Sequence, residues 1–235
     1  MKIQMFVYPG MTLLDLVGPL QVWNSWPGAE FQIVGQTKGE VQTDSALPIV
    51  ATHSFDGSWE DPDILFAPGG AAGTFALLED DQVISFLAER GERAGWVTSV
   101  CTGSVLLGAA GLLKGYRATS HWIAADLLTQ FGATVVSDRW VIDHNRATGG
   151  GVTAGVDFGL AIMAHVLKDE NAAKMVQLML EYAPKPPFSC GSPDTAEPGV
   201  VASVVKHYGA TGAKLRERQV AHAVARLARV ANETG

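Results

Sequence analysis

Cysteine is scarce in this chain, with two in 235 residues, at positions 101 and 190. Two thiols so far apart in sequence make no disulfide framework, and the expected setting is a reducing cytoplasm. Also missing is an uninterrupted apolar run of the ~20 residues that a membrane-spanning helix requires. The longest candidate, VTAGVDFGLAIMAHVL, is shorter and carries Asp157 and His165. Basic residues are outnumbered: 17 Lys and Arg stand against 24 Asp and Glu, for a net charge of -7, which gives no general attraction to nucleic acid or anionic lipid. There is no GxGxxG after a first strand, no P-loop, and no cluster of His and Cys at metal-ligand spacing. A neutral or small substrate fits what is left.

What the chain has in quantity is apolar residues, 47% of the total, enough to bury a sizeable core. Short β-rich runs alternate with helical patterns. The opening KIQMFVY reads as a first strand rather than a secretory leader, and TLLDLVGPLQVWNSW follows with Leu13, Leu16, Val17, Leu20 and Trp23 at helical spacing. FQIVGQ is a second strand, EVQTDSALPIVATHSF a hairpin excursion, and DILFAPGG a buried central strand. A charged helix over about 80–93, the strand WVTSV and the apolar helix TGSVLLGAAGLL come next. After them the pattern predicts a helix at HWIAADLLTQF, short strands near Val135, Trp140 and RATGG, and a helix from about Val152. Alternation of this kind predicts an α/β three-layer sandwich, a mostly parallel sheet with helices on both faces. One break, APKPPFSCGSPDTAEPG, precedes amphipathic helical sequence at about 200–231. We read the chain as one domain, 1–235, with that stretch as a helical extension whose six Lys and Arg form a solvated face packed on the main body.

Chemistry concentrates at VTSVCTGS. A cysteine between a strand and a helix gains exposure at the sheet edge and the positive end of the helix dipole, which lowers a thiol's pKa toward neutrality. Ser99 and Gly103 supply the small neighbours that such a crowded corner needs. Cysteine is equally a common buried packing residue, and the octapeptide alone leaves both readings open. Two glycine-bearing loops share the same sheet edge. Gly69 and Gly70 follow DILF, while Gly149, Gly150 and Gly151 precede the helix near Val152; either set makes ordinary turns or presents N–H groups to a ligand. Asp15, among Leu13, Leu14, Leu16 and Val17, is either an exposed or capping carboxylate or a buried acid that carries a proton at neutral pH. His121, beside Trp122, is either a structural hydrogen-bonding residue or a partner of the nucleophile.

Together, APGG, SVCTGSVLLGAAGLLKGYRATSHW and GGGVTAGVDF resemble the DJ-1/PfpI superfamily, whose flavodoxin-like domain carries a cysteine at a nucleophile elbow. LLDLVGP and QLMLEYAPKPPFSCGSPDTA resemble its isocyanide hydratase branch. The resemblance implies addition of water to an isocyanide to give an N-substituted formamide, with Cys101 as nucleophile and Asp15 as proton donor. Thr102 would contribute a hydroxyl and an amide, and Gly70, Gly150, Gly151 and Val152 would orient the intermediate or the water. His121 would stand behind them. It implies no metal or organic cofactor, and a homodimer. Two alternatives come from the same superfamily. A glyoxalase or deglycase-type enzyme normally has glutamate where Asp15 falls. A ligand-sensing domain of AraC-type regulators is followed by a DNA-binding region of roughly 100 residues, whereas 52 residues follow Ala183 here.

Overall fold

The computed structural model describes residues 1–210 and 213–233. Thr211 and Gly212, which fall within the extension expected at about 200–231, lie outside the described residues.

The central sheet contains β1 (Lys2–Phe6), β2 (Glu30–Val34), β5 (Ile64–Ala67), β6 (Trp96–Val100), β9 (Trp140–Asp143) and β10 (Arg146–Gly149), in the order β2-β1-β5-β6-β10-β9. All neighbours are parallel except β9, which pairs antiparallel with β10 at the edge. The central strand β5, sequence ILFA, is buried at every position because helices cover both faces, so it reads as a continuous apolar run. The excursion forms a separate antiparallel pair, β3 (Gly39–Val41) with β4 (Ile49–Ala51), and β7 (Arg117–Ala118) with β8 (Thr134–Val135) makes a second small sheet.

One face is covered by α1 (Leu13–Trp23) and α5 (Ala154–Leu167), with α6 (Glu170–Met179) packed on α5. Small residues let α1 and α5 approach closely: a Cβ on Gly159 would lie 3.2 Å from Val22, and one on Gly155 3.1 Å from Pro19. Trp23, Phe66 and Phe158 fill the space between them and the sheet, and Trp23 satisfies its indole N–H on the Gly159 carbonyl at 3.0 Å. The other face carries α2 (Ala71–Leu77), α3 (Asp81–Arg93) and α4 (Gly103–Ala109). Asp80 caps α3 by accepting from Val83 N at 3.1 Å. The segment HWIAADLLTQF is a turn and a 3-10 helix, Ala125–Phe131, rather than the α-helix its periodicity predicts. It stops at Gly132, which holds φ +78.

The carboxyl-terminal extension forms α7 (Pro198–Ala210) and α8 (Ala213–Glu233). Part of its basic face is tied to the main body. Arg226 donates to Ala109 O at 2.8 Å and pairs with Asp81 at 3.4 Å, and Arg218 pairs with Glu79 at 3.2 Å. Among the described residues no helix is long and apolar enough to cross a membrane.

Candidate active site

In an open parallel sheet a ligand site forms beyond the carboxyl ends of the strands, where connections leave in opposite directions. Here that point lies between β1 and β5, since the chain passes from β1 outward to β2 and then returns to β5 on the other side. Four connections meet there: the start of α1, the loop after β5, the corner after β6 and the loop after β10.

Cys101 occupies the corner after β6 with φ +57, a left-handed conformation that is uncommon for a residue with a side chain. Its backbone is held from several directions. The N–H donates to Gly150 O at 2.8 Å and Gly149 O at 3.1 Å, while its carbonyl accepts from Ser120 Oγ at 2.9 Å and Ser104 Oγ at 3.0 Å. Gly103 is obligatory, because a Cβ there would stand 2.1 Å from the Ala67 carbonyl oxygen. The side chain is only 5% exposed, yet it lines a cavity of about 500 Å³.

Asp15 sits in the first turn of α1, fully buried. The loop after β5 fixes it: Gly69 N donates to Asp15 Oδ2 at 2.9 Å, and Gly69 O accepts from Thr12 N at 2.8 Å. The Cys101 side chain lies next to this carboxyl across Gly69, and its thiol acts on the carboxyl as a hydrogen-bond donor, lowering its pKa. Loss of water around it, only partly offset by those two hydrogen bonds, raises its pKa to about 7. The sequence expectation of a thiol lowered by the helix dipole is not met. Burial pushes the Cys101 thiol up, the Asp15 charge pushes it further, and the Thr102 amide offsets only part of this. Two buried acids that share a hydrogen bond titrate as a pair. When the pair has lost one proton, the remaining proton can sit on sulfur or on the carboxyl, and the nucleophilic form is thiolate beside neutral Asp15.

The remaining expected residues divide. Thr102 lines the cavity, and its Oγ1 accepts from Gly70 N at 3.0 Å. Gly70 therefore spends its amide on Thr102 and not on a ligand. Gly150 is likewise committed, its N–H to Arg139 O at 2.9 Å and its carbonyl to Cys101, so it positions the nucleophile. The amides of Gly151 and Val152 have no acceptor among the described residues, and Val152 lines the cavity. His121 lies in the cavity wall itself, stacked on Trp122 and facing Tyr208 of α7. Its Nδ1 accepts from Ile123 N at 3.3 Å and burial lowers its pKa, so the ring is neutral with its hydrogen on Nε2. The expectation placed it behind the reacting groups; it faces the cavity directly.

Sequence reasoning missed two parts of the site. Val205, Tyr208, Arg216 and Val220 of α7 and α8 close the cavity over Cys101, opposite Phe75, Ile123 and Leu127. Their only signal was an apolar stripe in the extension. Tyr8, just beyond β1, and Thr74, on α2, stand behind Thr102, and their only signal in the sequence was a polar tip among apolar or small neighbours. Among the described residues no group of three or more His, Cys, Asp or Glu side chains stands at metal-binding distance.

The DJ-1/PfpI family model matches residues 1–165, the span that supplies the sheet and the nucleophile. The chain belongs to the DJ-1/PfpI family. It is 43% identical over 229 residues to the isonitrile hydratase of Pseudomonas putida, covering 97% of this chain and 98% of that one. The crystal structure of a family member from Pseudomonas syringae superposes with a TM-score of 0.88 at 47% identity, covering 94% of this chain and 90% of the other. A transcriptional regulator of Pseudomonas aeruginosa is 28% identical over 70% of this chain but only 44% of its own length.

Proposed function

We propose that the protein is an isocyanide hydratase that converts R–N≡C and water to an N-substituted formamide through a thioimidate on Cys101. The observation that carries this reading is the buried Asp15 carboxyl facing Cys101 across the backbone of Gly69, with Cys101 in the wall of a cavity that also carries Phe75, Ile123, Leu127 and Val152. Similarity to an isonitrile hydratase along nearly the whole of both chains supports it.

The steps follow from the pair. The Cys101 proton moves to Asp15, and the thiolate attacks the terminal carbon of the isocyanide as Asp15 protonates that same carbon, giving Cys–S–CH=N–R. Asp15, now ionised, removes a proton from an incoming water, whose oxygen bonds to the carbon. The same carboxyl returns that proton to nitrogen. It then takes the hydroxyl proton as the C=O forms and the C–S bond breaks. Formamide leaves, and thiolate and neutral Asp15 are restored. The free amides of Gly151 and Val152 and the Nε2–H of His121 are donors suited to the water or the nitrogen. Phe75, Ile123, Leu127, Val152 and Val220 favour a bulky hydrocarbon as R.

The same reading places the protein in a reducing cytoplasm as a homodimer. Both cysteines are free, and Met175, Leu178, Met179 and Phe188 are exposed apolar side chains on α6 and the segment after it. Light scattering tests the dimer. The activity test sets p-nitrophenyl isocyanide against methylglyoxal. Formamide from the first, lost in Cys101→Ala, is expected; turnover of methylglyoxal alone would replace the hydratase reading with a glyoxalase one.

A further inference from the structure

Behind Thr102 lie two buried hydroxyls that take no direct part in the chemistry. Tyr8 Oη stands 3.0 Å from Pro68 O and 2.7 Å from Thr74 Oγ1, and Thr74 Oγ1 stands 2.9 Å from Thr102 Oγ1. Thr102 and Cys101 are neighbours in the chain and in the cavity wall, and the Thr102 hydroxyl lowers the thiol's pKa, so Thr102 Oγ1 is the hydroxyl that faces sulfur. Four contacts therefore run in line from Pro68 O to sulfur, through three hydroxyls with one hydrogen each. A carbonyl oxygen and a thiolate both only accept. One of the four contacts must always lack a hydrogen, and the position of that gap sets the direction of all the others.

We infer that Tyr8, Thr74 and Thr102 form a hydroxyl relay with two polarities, whose hydrogens point toward Pro68 O while Cys101 keeps its proton and turn toward sulfur when that proton passes to Asp15. In the first arrangement Tyr8 donates to Pro68 O, Thr74 to Tyr8 and Thr102 to Thr74, and the thiol donates to Asp15. In the second, Tyr8 donates to Thr74, Thr74 to Thr102 and Thr102 to the thiolate, and Pro68 O is left without this donor. Gly70 N donates to Thr102 Oγ1 in both. Thr102 thus meets the charged sulfur as a donor, whereas beside the neutral thiol its hydrogen points to Thr74 and the gap lies between Thr102 and sulfur. Tyr8 and Thr74 are positioning residues that set the cost of the exchange, since each turn toward sulfur sacrifices the Pro68 bond. Tyr8 keeps its hydrogen throughout, because burial holds its pKa well above the ordinary value. The charged and titratable groups around the relay are Asp15 and Asp44, which face Tyr8 with Cys101, and His121, Arg216 and Glu217 across the cavity.

The relay rests on the proposed function only for its use of the Cys101–Asp15 exchange, and its test requires no isocyanide turnover. In a Cys190→Ser background, alkylation of Cys101 by iodoacetamide is followed by intact mass across pH 5 to 9. Tyr8→Phe removes the competing Pro68 bond, so the thiolate form gains, and alkylation at pH 7 is expected to rise about fivefold. Thr74→Val is expected to act in the same direction. It removes a whole competing bond but only the ~10–30% reinforcement of the Thr102 donation. In a Thr102→Val background neither substitution should accelerate alkylation. Rates at or below those of the parent in both variants would overturn the relay. So would an acceleration that survives Thr102→Val, because that marks a loosened pocket.

Discussion

Asp15 and Cys101 meet across the backbone of Gly69, and the missing side chain of that glycine is what lets them meet. A Cβ at position 69 would lie 2.8 Å from Asp15 Oδ2, 2.8 Å from Cys101 Cβ and 2.5 Å from Thr102 N. Two of those neighbours are backbone or the first side-chain carbon and have no rotamer in which to retreat.

Gly69→Ala should therefore separate the pair. The expected result is a loss of about 1–3 kcal/mol of stability in denaturant titration, the usual cost of overpacking a buried site. A loss of kcat of at least about a hundredfold should accompany it, because proton transfer needs the carboxyl within hydrogen-bond reach. Near-normal turnover in a folded Gly69→Ala variant would show that the contact is dispensable.

The pH dependence follows from treating the two acids as a pair. The first proton leaves with a midpoint near 7, the value to which burial raises Asp15. Since the nucleophilic form exists only after that loss, kcat/KM should increase with pH through about 7 and then level off. In Asp15→Asn the thiol no longer has an internal base, and the rising limb should move to more alkaline pH with a loss of about a thousandfold at pH 7.

Stability should run the opposite way. Asp15 has a folded pKa of about 7 against an ordinary aspartate value of 3.8, so between these values the folded state holds a proton that the unfolded state has released. Raising pH through that window favours unfolding, and the contribution present below about 4 is gone above about 7. Asp15→Asn, which carries no charge to bury, should be more stable than the parent at pH 8 by a few kcal/mol and should lose the slope. Thermal melts at pH 5 and pH 8 measure both.

The left-handed Cys101 relies on hydroxyls at its carbonyl. Ser120→Ala removes one of the two donors and should cost about 1 kcal/mol of stability. A severalfold drop in kcat is expected as the corner relaxes, while Thr102→Ser, which keeps its hydroxyl, should retain most activity.

Arg216 ties α8 to two other elements. Its guanidinium lies 5.7 Å from the Phe75 ring centroid and donates to Tyr208 O at 2.5 Å. Arg216→Ala should raise KM for a bulky isocyanide severalfold, more than it lowers kcat, as expected when binding surface is loosened rather than reacting groups disturbed. Steady-state kinetics with a small and a bulky isocyanide would distinguish the two effects.

Much of this was legible in the residues. Strand β5 announces itself because both faces of a parallel sheet are covered and its sequence stays apolar, while β1, β2 and β6 show as short β-rich runs between helical patterns. Asp15 was visible as a lone acid among leucines, and Cys101 as a thiol framed by small residues. The ionisation of Cys101 was misjudged, because a helix dipole can be read from sequence but the absence of water and the proximity of a second acid cannot. Gly70 and Gly150 were expected to face a ligand, yet both bind backbone or side-chain atoms that fix their neighbours. Helix α2 was hidden inside what reads as a glycine-rich turn, and the Tyr8–Thr74 contact joins residues 66 positions apart. Nothing local marks such a contact.

The covering of the reaction chamber comes from the last stretch of chain, α7 and α8 from residue 198 onward, whereas the sheet, Asp15 and Cys101 all lie before residue 150. During synthesis the chemically competent floor is complete while its ceiling is still inside the ribosome. A chain stalled or clipped near the Pro-rich segment would therefore present an uncovered sulfur to any passing electrophile, so the protein's protection against inactivation is made only after the groups it protects.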